Sequence, residues 1–154
     1  MTESFTIRPI TSDDAATIIA HRRGMFADMG RGNLEAMSAE FAKWLDRKLA
    51  AGDYLGWFAI TPDGQVAAGL GLWLMEWPAQ PDDTHERRAY ILNVYTQPAY
   101  RRHGLARQLM ITAIDWCRAN GLRTVLLHAS QFGRPLYEEL EFKATNEMRL
   151  MLAE

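Results

Sequence analysis

The 154-residue chain has a single cysteine, Cys117, which excludes both an intramolecular disulfide and a zinc cluster built from cysteines. Lysine is scarce too, present only at Lys43, Lys48 and Lys143, and 17 basic against 19 acidic side chains leave a formal charge of -2. That balance argues against a broad nucleic-acid footprint and names no charged partner. Long apolar runs are missing: the longest uncharged one, Val66 to Met75, is far too short to span a membrane. Met1-Thr-Glu-Ser-Phe5 lacks the basic and apolar regions of a secretion signal, so a soluble cytoplasmic protein is expected. What remains is close to the globular average, 48% hydrophobic and 23% charged without repeat or linker, so one domain over residues 1–154 is expected.

The order of elements follows from periodicity and breakers. Phe5 to Ile10 alternates like a short strand and meets Thr11-Ser-Asp-Asp14, a helix-capping sequence. A helix carrying Ile18, Ile19, Arg22, Met25, Phe26 and Met29 comes next and stops at Gly30-Arg-Gly-Asn33. Leu34 to Ala51 holds apolar residues at spacings near three and four, which predicts a second helix ended by Gly52. Tyr54 to Ile60 and Gln65 to Met75 flank the turn Thr61-Pro-Asp-Gly64, predicting a hairpin. Beyond a polar loop from Glu76 to Arg88, the pattern predicts a strand over 89–96, a helix over 104–120 and a strand over 124–129. A short helix near 133–140 and a last strand over 147–152 complete it. This is a mixed α/β order.

The stretch Val94-Tyr-Thr-Gln-Pro-Ala-Tyr-Arg-Arg-His-Gly-Leu-Ala106 joins a strand end, a basic glycine-containing turn and a helix start. Free backbone N–H groups at a helix N-terminus carry the positive end of its dipole and suit an anion, while Arg101, Arg102 and His103 add charge. A surface turn capped by arginines is the plainer reading of the same residues. Neither a dinucleotide fingerprint nor a G-x-x-x-x-G-K-[ST] phosphate loop is present.

At these residues the chain resembles the GNAT superfamily of acetyl-CoA-dependent N-acetyltransferases. Arg101-Arg-His-Gly-Leu-Ala106 matches the family's [QR]-x-x-G-x-[GA] loop, and Leu136-Tyr-Glu-Glu-Leu-Glu-Phe142, after Ser130 and Gly133, resembles its N-x-x-A-x-x-L-Y-x-x-L-G-F segment. The resemblance implies a mixed, mostly antiparallel sheet flanked by helices and splayed between strands 89–96 and 124–129. It implies acetyl-CoA as co-substrate, and no metal is expected. The pyrophosphate would lie on the main chain of Arg102, His103, Gly104, Leu105 and Ala106 with Arg101 opening the loop, and the pantetheine arm along Val94, Tyr95 and Thr96. Tyr137 falls where the family commonly has the tyrosine that protonates the departing thiolate, and a phenol keeps that proton at neutral pH. Ser130, in place of asparagine, can still cap the last helix beside the cofactor. Gly133 replaces alanine, and Glu141 replaces a glycine, which raises the prospect of a left-handed non-glycine residue there.

The base is open. Tyr90 occupies the position at which some family members have glutamate, and Glu35, Glu76 and Glu86 are alternatives, each equally readable as a surface charge. Asn93, an amide within an apolar strand, is either a second catalytic group or a satisfied structural one. His128 reads as a core histidine, and Cys117 as a buried inert thiol that speaks against a covalent acyl-enzyme. The resemblance places the acceptor beside Met25, Phe26, Met29 and Arg31, an apolar surface that Trp57, Trp73 and Trp77 could extend. Asp82, Asp83 and Glu86 are the only candidate acidic pocket. The acceptor is then an amine of a small molecule or peptide, attacked directly. A non-catalytic acyl-CoA-binding domain and a nucleotide-binding module are the alternatives. Met148 to Leu152 could meet a second copy in a homodimer or serve a monomer's core.

Overall fold

The computed structural model describes residues 4–153. Its elements are β1 (Thr6–Pro9), α1 (Ala15–Asp28), α2 (Leu34–Ala51), β2 (Tyr54–Ile60), β3 (Val66–Glu76), β4 (Arg87–Thr96), α3 (Leu105–Ala119), β5 (Val125–Leu127) and α4 (Arg134–Glu139), with one-turn helices at Ser12–Asp14 and Pro98–Tyr100. Thr11 begins the first helical turn as expected. Its N–H donates to Asp14 Oδ2 at 2.7 Å, and its Oγ1 accepts from Asp13 N–H, a reciprocal cap.

One five-stranded sheet runs in the order β1-β2-β3-β4-β5, antiparallel except for the parallel pair β4 and β5. Alternation along the strands divides the core. Trp57, Ala59, Leu70, Leu72, Ala89 and Ile91 face α3, where they meet Leu105, Leu109, Met110, Ala113 and Cys117. Tyr54 and Phe58 face the other way, onto Ile18 of α1 and Phe41 and Leu45 of α2. Each fully buried side chain of the size of Leu45 or Phe58 contributes about 1.5–3 kcal/mol through lost apolar hydration.

Two irregularities in β4 open a cleft in the sheet. Pairing with β3 passes from Gly71↔Leu92 to Gly69↔Tyr95, so Asn93 and Val94 oppose Leu70 alone. This is a β-bulge, and Asn93 takes a left-handed φ of 58° within it. Pairing with β5 covers only Ala89↔Val125, Tyr90↔Leu126 and Ile91↔Leu127. Beyond Ile91 the two parallel strands separate, which is the predicted splay.

One expected element is missing. Residues 147–152 form no strand, and Met148, Leu150, Met151 and Leu152 are 80–93% exposed. A strand needs an edge to pair with, and this segment pairs with none among the described residues.

Candidate active site

At the end of β4 the chain passes through the turn Pro98–Tyr100 into the loop that precedes α3. Arg102 and Gly104 both have left-handed φ, 68° and 71°. Gly104 meets that requirement without strain, whereas Arg102 has a Cβ that opposes it. The resulting curl leaves the N–H groups of residues 102 to 107 without a backbone acceptor among the described residues; the first bond of α3 is Gln108 N–H to Gly104 C=O at 3.1 Å. Five of these residues, Arg102, Gly104, Leu105, Ala106 and Arg107, line a cavity of about 230 Å³ together with Thr96, Tyr100, Arg101 and Leu136. A run of unspent donors at the positive end of a 15-residue helix has the geometry and the charge that suit an anion.

The loop arginines divide their work. Arg101 donates to the Thr96 carbonyl at 3.0 Å and to Asp28 of α1 at 2.7 Å, so its charge is partly spent on holding the loop to α1. The Arg102 side chain is exposed. His103 lies edge-on to Phe5 at 5.5 Å and is not part of the cavity lining. Tyr100 and Arg107 line the cavity without having been singled out by the sequence pattern.

Behind the bulge lies a polar network that reaches from the sheet into α1. Asn93, buried, donates from Nδ2 to the Tyr54 hydroxyl at 2.9 Å and accepts on Oδ1 from Arg22 at 2.9 Å. Tyr54 fits because Gly71 has no side chain: a Cβ there would overlap its hydroxyl. Burial holds the Tyr54 phenol protonated well above its usual range and lowers the Arg22 pKa. The Arg22 guanidinium packs over Phe41 at 4.6 Å and Phe26 at 5.1 Å, and its Nε has no partner among the described residues. His21, also buried, touches Phe58 and Tyr95, and burial pushes its pKa down to about 4, so the ring is neutral. A cation in the middle of an otherwise apolar helix stripe was the available sequence signal for Arg22.

On the other side of the splay, Ser130 Oγ accepts from Gly133 N–H at 3.1 Å and closes the turn that leads into α4, whose N-cap position is Gly133. Gly133 gives room to Tyr137, whose ring would stand 2.8 Å from any Cβ placed there. Tyr137 is 8% exposed, and its hydroxyl has no hydrogen-bond partner among the described residues and is not sealed from solvent. Burial raises its pKa, so it keeps its proton. Glu141 does adopt the left-handed conformation, φ 72°, and closes the helix with Phe142 N–H donating to Tyr137 C=O at 2.9 Å.

Residues 23–142 match the profile of the Acetyltransferase (GNAT) family. The chain belongs to the GNAT family. It is an acetyltransferase. A glucosamine 6-phosphate N-acetyltransferase of Trypanosoma brucei brucei is 32% identical over 116 residues, 73% of this chain and 76% of that one. A GCN5-related N-acetyltransferase from Ralstonia eutropha JMP134 superposes with a TM-score of 0.93 at 36% identity, covering 98% of this chain and 100% of that one. The fold is shared with a Clostridium acetobutylicum acetyltransferase solved with acetyl-CoA, TM-score 0.88 at 23% identity, over 97% and 96% of the two chains.

In this GNAT chain the residues expected beside the acceptor, and the other side chains singled out with them, have these surroundings. Phe26 lies between two guanidinium groups, Arg22 and Arg31, the latter at 5.7 Å, so that surface is aromatic and basic rather than only apolar. Met25 is half-buried and Met29 is 39% exposed. Trp73 packs with Trp44 and Tyr90, whereas Trp57 lies against Trp116 under α3 and Trp77 stacks beneath Arg88. Asp83 forms no acidic pocket. It is buried, accepts from Thr124 Oγ1 and from His85 N–H at 3.0 Å, and these bonds bring its pKa down to about 2. His128 is not in the core: β5 ends at Leu127, and the His128 side chain is 60% exposed, edge-on to Tyr90 and 3.6 Å from Glu147. Tyr90 is raised in pKa, first by burial and then by Glu147, which makes it a worse base still. Cys117 is buried with its thiol pushed up to about 11, consistent with an inert group. Among the described residues no group of three or more His, Cys, Asp or Glu side chains could hold a metal ion, and no helix is long and apolar enough to cross a membrane.

Proposed function

We propose that this acetyltransferase transfers the acetyl group of acetyl-CoA to a primary amine of a small molecule or peptide by direct attack. The observation that carries it is the run of unspent N–H groups from Arg102 to Arg107 at the mouth of the splay. Those donors fit a diphosphate, with Arg101 opening the loop. The unpaired edge of Val94, Tyr95 and Thr96 fits an extended arm, and Ser130 borders its far side. When bound, acetyl-CoA supplies the activated thioester; everything else falls to the chain. Main chain at Val94, next to the Asn93 bulge, would polarise the carbonyl. As the amine formed its C–N bond and the C–S bond broke, Tyr137 would give its proton to the leaving sulfur, while the nitrogen would release one to water and the tyrosinate would recover one from solvent. Replacing that acid with phenylalanine is expected to lower kcat about 100-fold while leaving acetyl-CoA affinity unchanged. Steady-state kinetics of Tyr137→Phe with a binding titration checks it.

The acceptor is an amine that also carries an anionic group. Arg22 and Arg31 flank Phe26, and Arg22 has no carboxylate partner among the described residues. The 32%-identical relative is named for an amino sugar phosphate, which has that character. Release of free thiol from acetyl-CoA, followed with glucosamine 6-phosphate, glucosamine and a short peptide, tests both statements. Turnover should favour the phosphorylated amine, and Arg31→Met, which leaves the Asn93 network intact, should weaken the preference. Binding of acetyl-CoA with no thiol release from any amine would leave the acyl-CoA-binding alternative standing.

A further inference from the structure

A direct transfer moves protons at two places: the leaving sulfur gains one and the attacking nitrogen gives one up. On the proposed reading Tyr137 serves the sulfur, and it packs in the core cluster with Leu105, Leu109 and Met110 of α3. The residues placed beside the acceptor, Arg22 and Phe26, belong to α1, which packs on the other face of the sheet. A group that receives the nitrogen's proton therefore has to lie on the α1 and α2 face, where β4 and β5 part.

Strand alternation puts His128 there. Tyr90 pairs with Leu126, so their side chains share a face, and His128 follows two residues on, immediately after the last paired residue, Leu127. The rings bear this out: Tyr90 and His128 meet edge-on at 5.4 Å, Tyr90 is 6.0 Å from Trp73, and Trp73 is 5.4 Å from Trp44 of α2. Continuing the register sets His128 level with Leu92, beside the Asn93 bulge. Its side chain is 60% exposed, so a proton gained there can leave to solvent. The other titratable groups around this sheet are badly placed. Burial raises the Tyr90 pKa, and His21 is buried against Tyr95 with a pKa of about 4. Asp83 spends its carboxylate on Thr124 and His85. Glu76 pairs with Arg87, about 20 Å along β4 from Asn93, and Glu35 lies in the first turn of α2, where it complements the helix dipole.

We propose that His128 takes up the proton that the attacking nitrogen gives up, through the water that first receives it. The inference rests on acetyl transfer to a primary amine by direct attack. From the free amine, the C–N bond forms as the C–S bond breaks. One proton passes from nitrogen to water and from that water to Nδ1, and the imidazolium then releases it to solvent. The sulfur's proton comes separately from Tyr137, so the two transfers use groups on opposite faces of the sheet. Glu147 stands 3.6 Å from Nε2 and faces the charge that the ring acquires. Tyr90 is the other titratable group against the ring, and Arg22 of α1 and Arg149 of the segment after α4 act on Tyr90 in turn. Tyr90, although it holds the strand position of the family's glutamate, then needs to lose no proton.

Steady-state kinetics of the full chain with acetyl-CoA and glucosamine 6-phosphate, taken across pH and followed by thiol release, decides it. His128→Ala is expected to lower kcat about 100-fold, with unchanged circular dichroism and unchanged acetyl-CoA affinity. Added imidazole should restore part of that rate in proportion to its concentration, a response that a structural role for the side chain would not give. His128→Phe keeps a ring against Tyr90 and should be as slow as the alanine variant. The pH limb common to wild type and variant is the acceptor's own ammonium, so the readout is the limb that the wild type has and His128→Ala lacks. A His128→Ala protein within about threefold of the wild-type kcat overturns this inference and leaves acetyl transfer standing. So does a slow variant that imidazole does not rescue, or one that keeps the full wild-type pH profile. A wild type that binds acetyl-CoA and releases no thiol with any amine overturns acetyl transfer and this inference together.

Discussion

The loop before α3 and the bulge in β4 lie only a few residues apart and are built in opposite ways. The loop keeps its donors unspent: six successive N–H groups lack a backbone acceptor among the described residues, and five of those residues line a cavity. At the bulge, polar groups are spent inward, with Asn93 bonded to Tyr54 and Arg22 and all three shielded from water to differing degrees. The loop can bind without rearranging, at the cost of a left-handed Arg102. The bulge can hold a backbone kink in place, at the cost of burying a cation and an amide. One region is therefore expected to respond to mutation in ligand affinity, and the other in stability.

The largest expected effect is in the bulge region and is read through pH. His21 has a pKa near 4 in the folded chain against about 6.5 unfolded, so the unfolded state binds the extra proton between those values. Stability is then complete above pH 6.5 and falls on acidification toward pH 4, by on the order of 3 kcal/mol if His21 alone is counted. Urea unfolding at pH 7.5 and 4.5 should show the loss, and His21→Leu should reduce it. Next is Asn93→Ala, which leaves Tyr54 and Arg22 without their buried partner and should cost about 2 kcal/mol. Chemical denaturation measures it. In the loop, Ala106→Asp, whose charge suits a helix N-terminus but opposes a bound diphosphate, should weaken acetyl-CoA binding about tenfold, close to 1.4 kcal/mol, with little change in the denaturation midpoint; calorimetric titration separates the two. A loop variant that unfolded the protein, or a bulge variant that altered only affinity, would erase the distinction. The smallest effect belongs to neither region: Glu141→Gly relieves a left-handed residue and should add about 1 kcal/mol, seen as a higher melting temperature.

Legibility in the sequence divides along a related line. Elements whose cause is local were legible. The span of α2, Leu34 to Ala51, follows from its apolar spacing and Gly52; the hairpin follows from Thr61-Pro-Asp-Gly64; the loop at 101–106 follows from a motif in which main chain does the binding. Glu141 could be flagged because left-handed backbone depends on residue type. What escaped depends on partners distant in sequence. Asn93 was visible as an amide in an apolar strand, but Tyr54, 39 residues away, and Arg22, 71 away, were not visible as its partners. Asp83 looked like a loop charge because nothing local announces Thr124, 41 residues on. His128 looked buried because strand composition continues past the last paired residue, Leu127. The missing terminal strand has the same origin, since composition shows that a segment can pair but not what it pairs with.

The point where β4 and β5 part also acts as a ruler. Pairing stops at Ile91↔Leu127, the bulge is fixed at Asn93, and the anion loop begins beyond Thr96 and the turn Pro98–Tyr100. Strand geometry makes the rise from Asn93 to Thr96 roughly 10 Å, a length that neither side-chain rotamers nor loop motion can change much. On the proposed reading, a donor is gauged by the distance between its phosphates and its reactive carbon. Selectivity among acyl donors would then come first from length, and only afterwards from the shape of the acyl group.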